Sequence, residues 1–425
     1  MDIVIEKIAY PGKSLARIDG KVVFTDHGLP GEKVKVSVIK EKKNYILART
    51  IKNISFSPLR RETRCDHYRI CSPYQYIDYD EQVKIKKQQI LEAFGHDLKI
   101  DPVDIIFRNS PKIWGYRNKI TLKVIHENGK QRLAYNQLHA RDRFAPVENC
   151  FLSPNLTNSF LAAFSKVISA GFIQGISQLV VKENSDNKLL AAVYYNSSFH
   201  AEKACAFFEP LGKDFPHLNL ICIDKDSSSR TVICGTDFLV ETVSGMSFNI
   251  GAESFFQVNT PSLVNLSDDL KKNIPFNKNM VLADLYCGIG TFGILLSSKV
   301  KQVIGVESED ENFYFMKQNI AANNAANFTP YLSDCKKYIN SLSLKKVDVA
   351  IIDPPRKGLD PDVCNALKRS GLPVIVYISC DLATLIRDLK ILLPSYKIKN
   401  IFGYDFYPHT PHIETMVILA LEDLS

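Results

Sequence analysis

The sequence predicts an α/β chain in three parts: a small N-terminal β-barrel, a central α+β domain and a C-terminal Rossmann-like sheet. Three observations carry this. At 425 residues the chain exceeds one ordinary domain. Hydrophobic residues at 45% and charged residues at 23% are globular composition, which excludes disorder as the main state. Short alternating strands at the start give way to irregular α and β segments, then to a regular βα alternation. The parts are expected at 1–57, 58–250 and 251–425. No apolar run approaches the ~18 residues of a membrane-spanning helix, so none is expected. The ten cysteines are scattered, unlike a disulfide framework, and point to a reducing, cytoplasmic setting.

Residues 3–8, 21–25, 32–41 and 45–54 alternate apolar and polar positions. Pro11-Gly12, Asp19-Gly20 and Leu29-Pro30-Gly31 supply turns between them. So many short strands in so few residues predict a small closed barrel. The whole chain has 53 Lys/Arg against 46 Asp/Glu, and twelve against six of these fall in residues 1–60. A basic module at one end is the footprint of contact with a polyanion. A solvated, lysine-rich face would carry the same charge. Pro58 and the charged stretch 60–64 mark the exit, before a cysteine-bearing loop and a helix over 81–94.

In the middle part, 115–126, 178–182 and 188–195 read as strands and 155–169 as a helix. Without regular alternation this is an α+β layer. After a polar stretch at 274–278 the strands are 281–286, 302–306, 347–352 and 374–379, with helices at 292–298, 309–322, 361–369 and 382–389. That order predicts an open, mostly parallel sheet wrapped by helices.

The run Asp284-Leu285-Tyr286-Cys287-Gly288-Ile289-Gly290-Thr291-Phe292-Gly293 sits where a strand passes into a helix. Its glycines permit a tight turn and close approach to a ligand. Glu307 ends the next strand, placed to hydrogen-bond a ribose diol. This conjunction fits a dinucleotide or an S-adenosylmethionine site. The following strands end in Asp353-Pro354-Pro355-Arg356 and Ser379-Cys380. One sheet edge therefore collects Tyr286, Glu307, Asp353 and Cys380, where ligands gather in open parallel sheets.

These residues resemble the RNA (uracil-5-)-methyltransferases. The resemblance rests on Phe255-Phe256-Gln257-Val258-Asn259, the 284–293 run, Asp353-Pro354-Pro355-Arg356-Lys357-Gly358, Ser379-Cys380-Asp381-Leu382-Ala383-Thr384-Leu385 and Pro408-His409-Thr410-Pro411-His412-Ile413-Glu414-Thr415. Gly12-Lys13-Ser14-Leu15-Ala16 and Gly28-Leu29-Pro30-Gly31-Glu32 resemble the TRAM domain, an OB-like RNA-binding barrel. The resemblance implies a methyltransferase sheet with S-adenosylmethionine in a pocket of Gln257, Tyr286, Thr291, Glu307, Asp334 and Asp353. It implies Cys380 as nucleophile and Glu414 as general base, acting on C5 of a uridine. The chemistry asks for such a pair. C5 is a poor nucleophile until a thiolate adds to C6, and a base must later take the C5 proton. Tyr116-Arg117-Asn118-Lys119 is similar to the family's substrate-side segment.

Relatives with a TRAM domain commonly hold an iron–sulfur cluster on four cysteines. Cys65, Cys71 and Cys150 match three of them, and Tyr74 stands at the remaining position. A three-cysteine cluster, a lost cluster, and zinc on Cys65, His67, Cys71 and Cys150 are the open alternatives. The domain content points to bacterial ribosomal RNA of the large subunit (23S) as partner, with transfer RNA the alternative, and to a monomer. Two rival activities are a nucleobase-amine or ribose methyltransferase and a non-catalytic RNA-binding protein. Arg356 after Asp353-Pro354-Pro355 disfavours the former, since amino-group enzymes usually place an aromatic there. The intact set of site residues disfavours the latter.

Overall fold

The structure, a computed structural model, describes residues 1–100, 104–127, 129–136, 144–170, 175–196, 201–341 and 346–422. Its C-terminal part is an eight-stranded sheet. Five parallel strands run in the order Phe328–Leu332, Gln302–Glu307, Val281–Leu285, Val349–Ile352 and Val374–Ser379. Glu414–Leu421 follows, antiparallel to Val374–Ser379 on one side and to Tyr396–Tyr404 on the other. Strands buried on both faces read as continuous apolar runs, which explains Val349–Ile352 and most of Val374–Ser379. One face packs an apolar cluster around Leu285, Ile352, Tyr377 and Leu389. The opposite face packs another around Leu282, Phe292, Met316 and Ile351.

That topology builds the functional edge. Tyr286, Glu307, Asp353 and Cys380 stand at or just past the C-terminal ends of parallel strands. The antiparallel Glu414–Leu421 begins at the same edge, which brings Glu414 there although it starts its strand.

The eighth strand departs from the expected boundary. Ile105–Arg108 lies within the 58–250 segment, yet it pairs in parallel with Tyr396–Tyr404. The helix before it, expected over 81–94, is Tyr79–Ala93, and Ile90 joins Phe94 and Ile105 in the cluster on that sheet. Four residues are too few for an alternation to show, so the strand was invisible to pattern reading. At the other limit, the hairpin of Phe238–Val243 and Met246–Gly251 packs on helix Asp310–Ala322, with Asn249 N donating to Asn319 Oδ1 at 2.7 Å.

The central part is a seven-stranded mixed sheet, from Phe144–Pro146 at one edge to Arg230–Cys234 at the other. Helix Asn155–Ala170 covers one face with Phe160 and Phe164. The N-terminal sheet has six strands, with edges Asp2–Val4 and Lys7–Ala9. These edges are successive pieces of one segment, so the sheet curls back upon itself around Ile3, Ile5, Ala16 and Val34. The curled sheet docks on the C-terminal part. Tyr10 Oη donates to Asp381 Oδ2 at 3.2 Å and accepts from Leu382 N at 3.1 Å. Gly12, at φ +92, lies so close that a Cβ there would come 2.6 Å from Pro411 Cβ. Among the described residues, no helix is long and apolar enough to cross a membrane.

Candidate active site

Between strand Val281–Leu285 and helix Thr291–Ser297 the backbone turns through left-handed conformations at Tyr286, Gly288 and Gly290. Tyr286 reaches φ +60 without being glycine, a costly conformation found mostly where a site requires it. Asp284 holds the turn from below, accepting from Gly293 N at 2.8 Å. Burial pushes its carboxyl up to about 7. Glu307 closes the turn from the next strand. One oxygen accepts from Gly288 N at 2.8 Å, the other from Ser308 N at 2.7 Å and Glu309 N at 2.8 Å.

A narrow cleft opens above this turn, lined by Phe255, Gln257, Tyr286, Gly288, Thr291 and Asp353. Four of the six expected pocket residues thus share one wall, and Glu307 is bonded into it through Gly288. Asp334 is set apart. It stands exposed past strand Phe328–Leu332, its carboxylate accepting from Lys336 N at 2.8 Å at the start of helix Cys335–Ser341. Gln257 Nε2 lies 3.5 Å from Asp353 Oδ2, and Gln257 Oε1 is buried without a partner. An orphaned acceptor, a positive-φ turn and an acid at the second strand end together fit an adenosyl cofactor.

Cys380 and Glu414 are brought together across the ladder. The last pair of the ladder is Ser379 with Thr415, so Cys380 and Glu414 lie one residue beyond it, on either strand. Burial, then the charges of Glu414 and Asp353, push the Cys380 thiol up to about 12, and Arg356 opposes them. Glu414 is buried, and burial followed by Asp353 lifts its carboxyl well above the ordinary range. Burial also raises Asp353, to about 7. His412 Nε2 meets Arg356 Nη2 at 3.4 Å, and burial lowers its imidazole to about 4.

Two further residues stand around this pair: Tyr407, which sequence reasoning missed, and Arg117, which lies in the segment similar to the family's substrate-side stretch. Tyr407 is half-buried in reach of the charges of Glu414, Cys380 and Arg117, and desolvation pushes its phenol well up. Nothing in the local pattern marks it. Arg117 buries an unpartnered Nε near Tyr135, Tyr116, Cys150 and Tyr407. Its neighbour Asn118 donates to Gln257 O at 3.0 Å, tying this segment to the cleft.

The cysteine loop satisfies itself. His67 Nδ1 lies 3.7 Å from Cys65 Sγ and 3.4 Å from Cys71 Sγ. Gln75 Nε2 donates to Cys65 Sγ at 3.3 Å, and Tyr135 Oη to Cys150 Sγ at 3.4 Å. Tyr74 is turned into an apolar cluster with Ile8, Leu29 and Tyr76, its hydroxyl buried without a partner. Among the described residues, no group of three or more His, Cys, Asp or Glu stands where it could hold a metal ion. Three thiols, with the fourth position turned into the core, do not fit a four-thiolate cluster.

Parallel strands ending in an antiparallel hairpin, with a glycine turn and an orphaned acceptor at their edge, define an S-adenosylmethionine-dependent methyltransferase. Residues 78–422 match the tRNA (uracil-5-)-methyltransferase family and residues 1–51 the TRAM domain, and the chain belongs to that methyltransferase family. It is an RNA uracil-C5 methyltransferase. An uncharacterized RNA methyltransferase of Clostridium tetani is 28% identical over 99% of this chain and 98% of its own. One of Synechocystis is 29% identical over 99% and 95%. Among solved structures, the Pyrococcus abyssi tRNA (uracil-54, C5)-methyltransferase in complex with S-adenosyl-L-homocysteine covers 99% of this chain and 100% of its own. The TM-score is 0.75 at 24% identity, which shows a shared fold over the full length.

Proposed function

We propose that this protein methylates C5 of a uridine in 23S ribosomal RNA through a covalent adduct between Cys380 and C6. The observation that carries the mechanism is that the carboxyls of Glu414 and Asp353 both act on the Cys380 thiol, just past the Ser379–Thr415 pair at the sheet edge. The thiol gives its proton to solvent and its sulfur bonds C6; the C5–C6 π pair becomes a C4–C5 π bond as the C4 carbonyl pair moves onto O4. The Arg356 guanidinium opposes these carboxyls and favours the thiolate. When bound, S-adenosylmethionine supplies the electrophilic methyl that C5 takes. Gln257, Tyr286, Thr291, Glu307 and Asp353 would hold it. Asp334, expected by resemblance among the holding residues, stands past the next strand end outside the cleft lining, where its charge acts on Tyr286. Glu414, entering this step as its carboxylate, then takes the C5 proton, the released pair forms the C5–C6 double bond, and the Cys380 thiolate leaves. Burial raises the proton affinity of that carboxylate, which makes it a stronger acceptor once ionised.

The ribosomal reading rests on the barrel together with the partial cysteine set, by resemblance. Transfer RNA is the second reading, favoured by the full-length likeness to a Pyrococcus abyssi enzyme described as acting on tRNA. Mapping 5-methyluridine in ribosomal and transfer RNA with and without the gene decides between them. Loss of the mark from transfer RNA alone overturns the ribosomal assignment. Incubation with 5-fluorouridine RNA and cofactor tests the adduct, because fluorine cannot leave C5 as a proton. A complex that survives denaturation is expected; its absence removes the covalent mechanism.

A further inference from the structure

Apart from the methyl-transfer cleft, a second cavity of about 820 Å³ opens between the linker after the barrel and the central domain. One wall is a stack of three planar groups from three distant parts of the chain. His409 is buried, and its ring lies 3.7 Å from that of Trp114, tilted by only 23°. Arg64 Cζ sits over Trp114, 4.2 Å from the ring centroid. Arg64 is exposed, so the stack ends in a planar cation open to the outside. Burial lowers the His409 imidazole to about 3, which keeps it neutral and removes charge repulsion with Arg64. The rest of the lining is mixed, with apolar Phe151 and Leu156, the acids Glu148 and Glu183, and several hydroxyls and amides. Ser153 Oγ is buried there without a partner, and the exposed amides Asn149 and Asn155 stand beside it. Lys112 adds a second cation.

We propose that this cavity receives an unpaired RNA nucleobase other than the target uridine, stacked on the Arg64 end of the His409–Trp114–Arg64 column. A base offers a flat π-face to a guanidinium plane and a polar edge to hydroxyl and amide groups. A buried orphaned hydroxyl is the kind of group such an edge would satisfy. The adjacent phosphate meets Lys112. An apolar protein partner would leave both cations and the amides without matching groups. His409 lies five residues before Glu414, in the segment leading into that strand, so a base docked here is tied to the catalytic edge. Gripping a second unpaired base offsets part of the cost of presenting the target uridine outside a helix. The inference rests on RNA being the substrate.

Trp114 is the only tryptophan in the chain, so its fluorescence reports this column alone. The probe is a short single-stranded oligoadenylate, which contains no target base, with a duplex RNA of equal length for comparison. A saturable change in Trp114 emission with oligoadenylate, and none with duplex at equal salt, is expected. Arg64→Ala and Arg64→Lys should both weaken oligoadenylate binding, read by anisotropy of labelled RNA, by about 5- to 100-fold. Trp114→Phe should retain binding and Trp114→Ala should lose it. Unchanged S-adenosylhomocysteine affinity in each variant separates the effect from misfolding. Full affinity in Arg64→Lys reduces Arg64 to a phosphate contact and overturns the proposal, as does an equal response to duplex. Loss of 5-fluorouridine capture with oligoadenylate binding intact would instead count against the methyl-transfer mechanism alone.

Discussion

Cys380 stands among two carboxyls, and burial with their charges holds its thiol at about 12 in the free protein. The attacking thiolate is therefore scarce near neutral pH, and its fraction rises about tenfold per pH unit below the thiol pKa. Capture of 5-fluorouridine RNA should accelerate with pH across the neutral and mildly alkaline range. Arg356→Gln removes the opposing cation, raises the thiol further and should slow capture at every pH in that range. Quenched-flow trapping measures both. A pH-independent rate would mean that the thiolate is preformed and that Arg356 has another task. The two catalytic roles separate by substitution. Cys380→Ala should abolish methyl transfer and capture together. Glu414→Gln should still add and methylate, yet fail to release, accumulating a methyl-labelled covalent complex on unmodified uridine RNA. A denaturing gel with labelled methyl groups reads this. Normal turnover by Glu414→Gln, or trapping without label, would pass the proton-acceptor role to another group such as Asp353.

Helix Tyr79–Ala93 illustrates what an element's own sequence conceals. It starts at Tyr79, earlier than the expected Glu81, with Asp78 accepting from Asp80 N at 3.1 Å and acids at Asp80 and Glu81 in the first turn. Lys86 in its middle reads as a solvated lysine. Instead it is fully buried, donating to Asp405 Oδ1 at 2.7 Å and Tyr407 O at 3.0 Å. The partner lies 319 residues away, a pairing no periodicity contains. Lys86→Ala leaves the Asp405 carboxylate buried and unpaired, which should cost about 3–5 kcal/mol. Because Asp405 opens the segment that carries Tyr407 and His409 to Glu414, methyl transfer should fall as well. Replacing the pair together, Lys86→Met with Asp405→Leu, should restore much of the stability. Thermal unfolding of the single and double variants checks the ordering, and equal losses in both would deny the buried ion pair its role. Strand Ile105–Arg108 hid for a different reason: four residues that complete a distant sheet carry no pattern of their own.

Over the whole molecule, the barrel is fastened to the sheet edge that carries Cys380. Tyr10 bonds to Asp381 and Leu382, the two residues after Cys380, and Lys7 Nζ meets Glu92 Oε2 at 2.8 Å. Tyr10→Phe removes both hydroxyl bonds. Each is worth about 0.5–1.5 kcal/mol, so stability should fall modestly while the nucleophile's loop loosens. The expected kinetic signature is a lower kcat with RNA affinity unchanged; a change confined to RNA affinity would make Tyr10 a substrate contact instead. Strands Phe328–Leu332, Tyr396–Tyr404 and Glu414–Leu421 went unread, but the glycine turn, the acid at the second strand end, Asp353, and strands Val281–Leu285, Gln302–Glu307, Val349–Ile352 and Val374–Ser379 with the helix after each were legible in the sequence. They depend on backbone conformation and on strand and helix periods, which are local properties. The meeting of Cys380 with Glu414 belongs to the tertiary structure, because only an antiparallel last strand returns Glu414 to the edge where the parallel strands end. The same holds for the Arg64, Trp114 and His409 column and for the turning of Tyr74 away from the cysteines. Each depends on which distant surfaces pack together, and a contact between residues far apart in the chain leaves no period in the sequence to read.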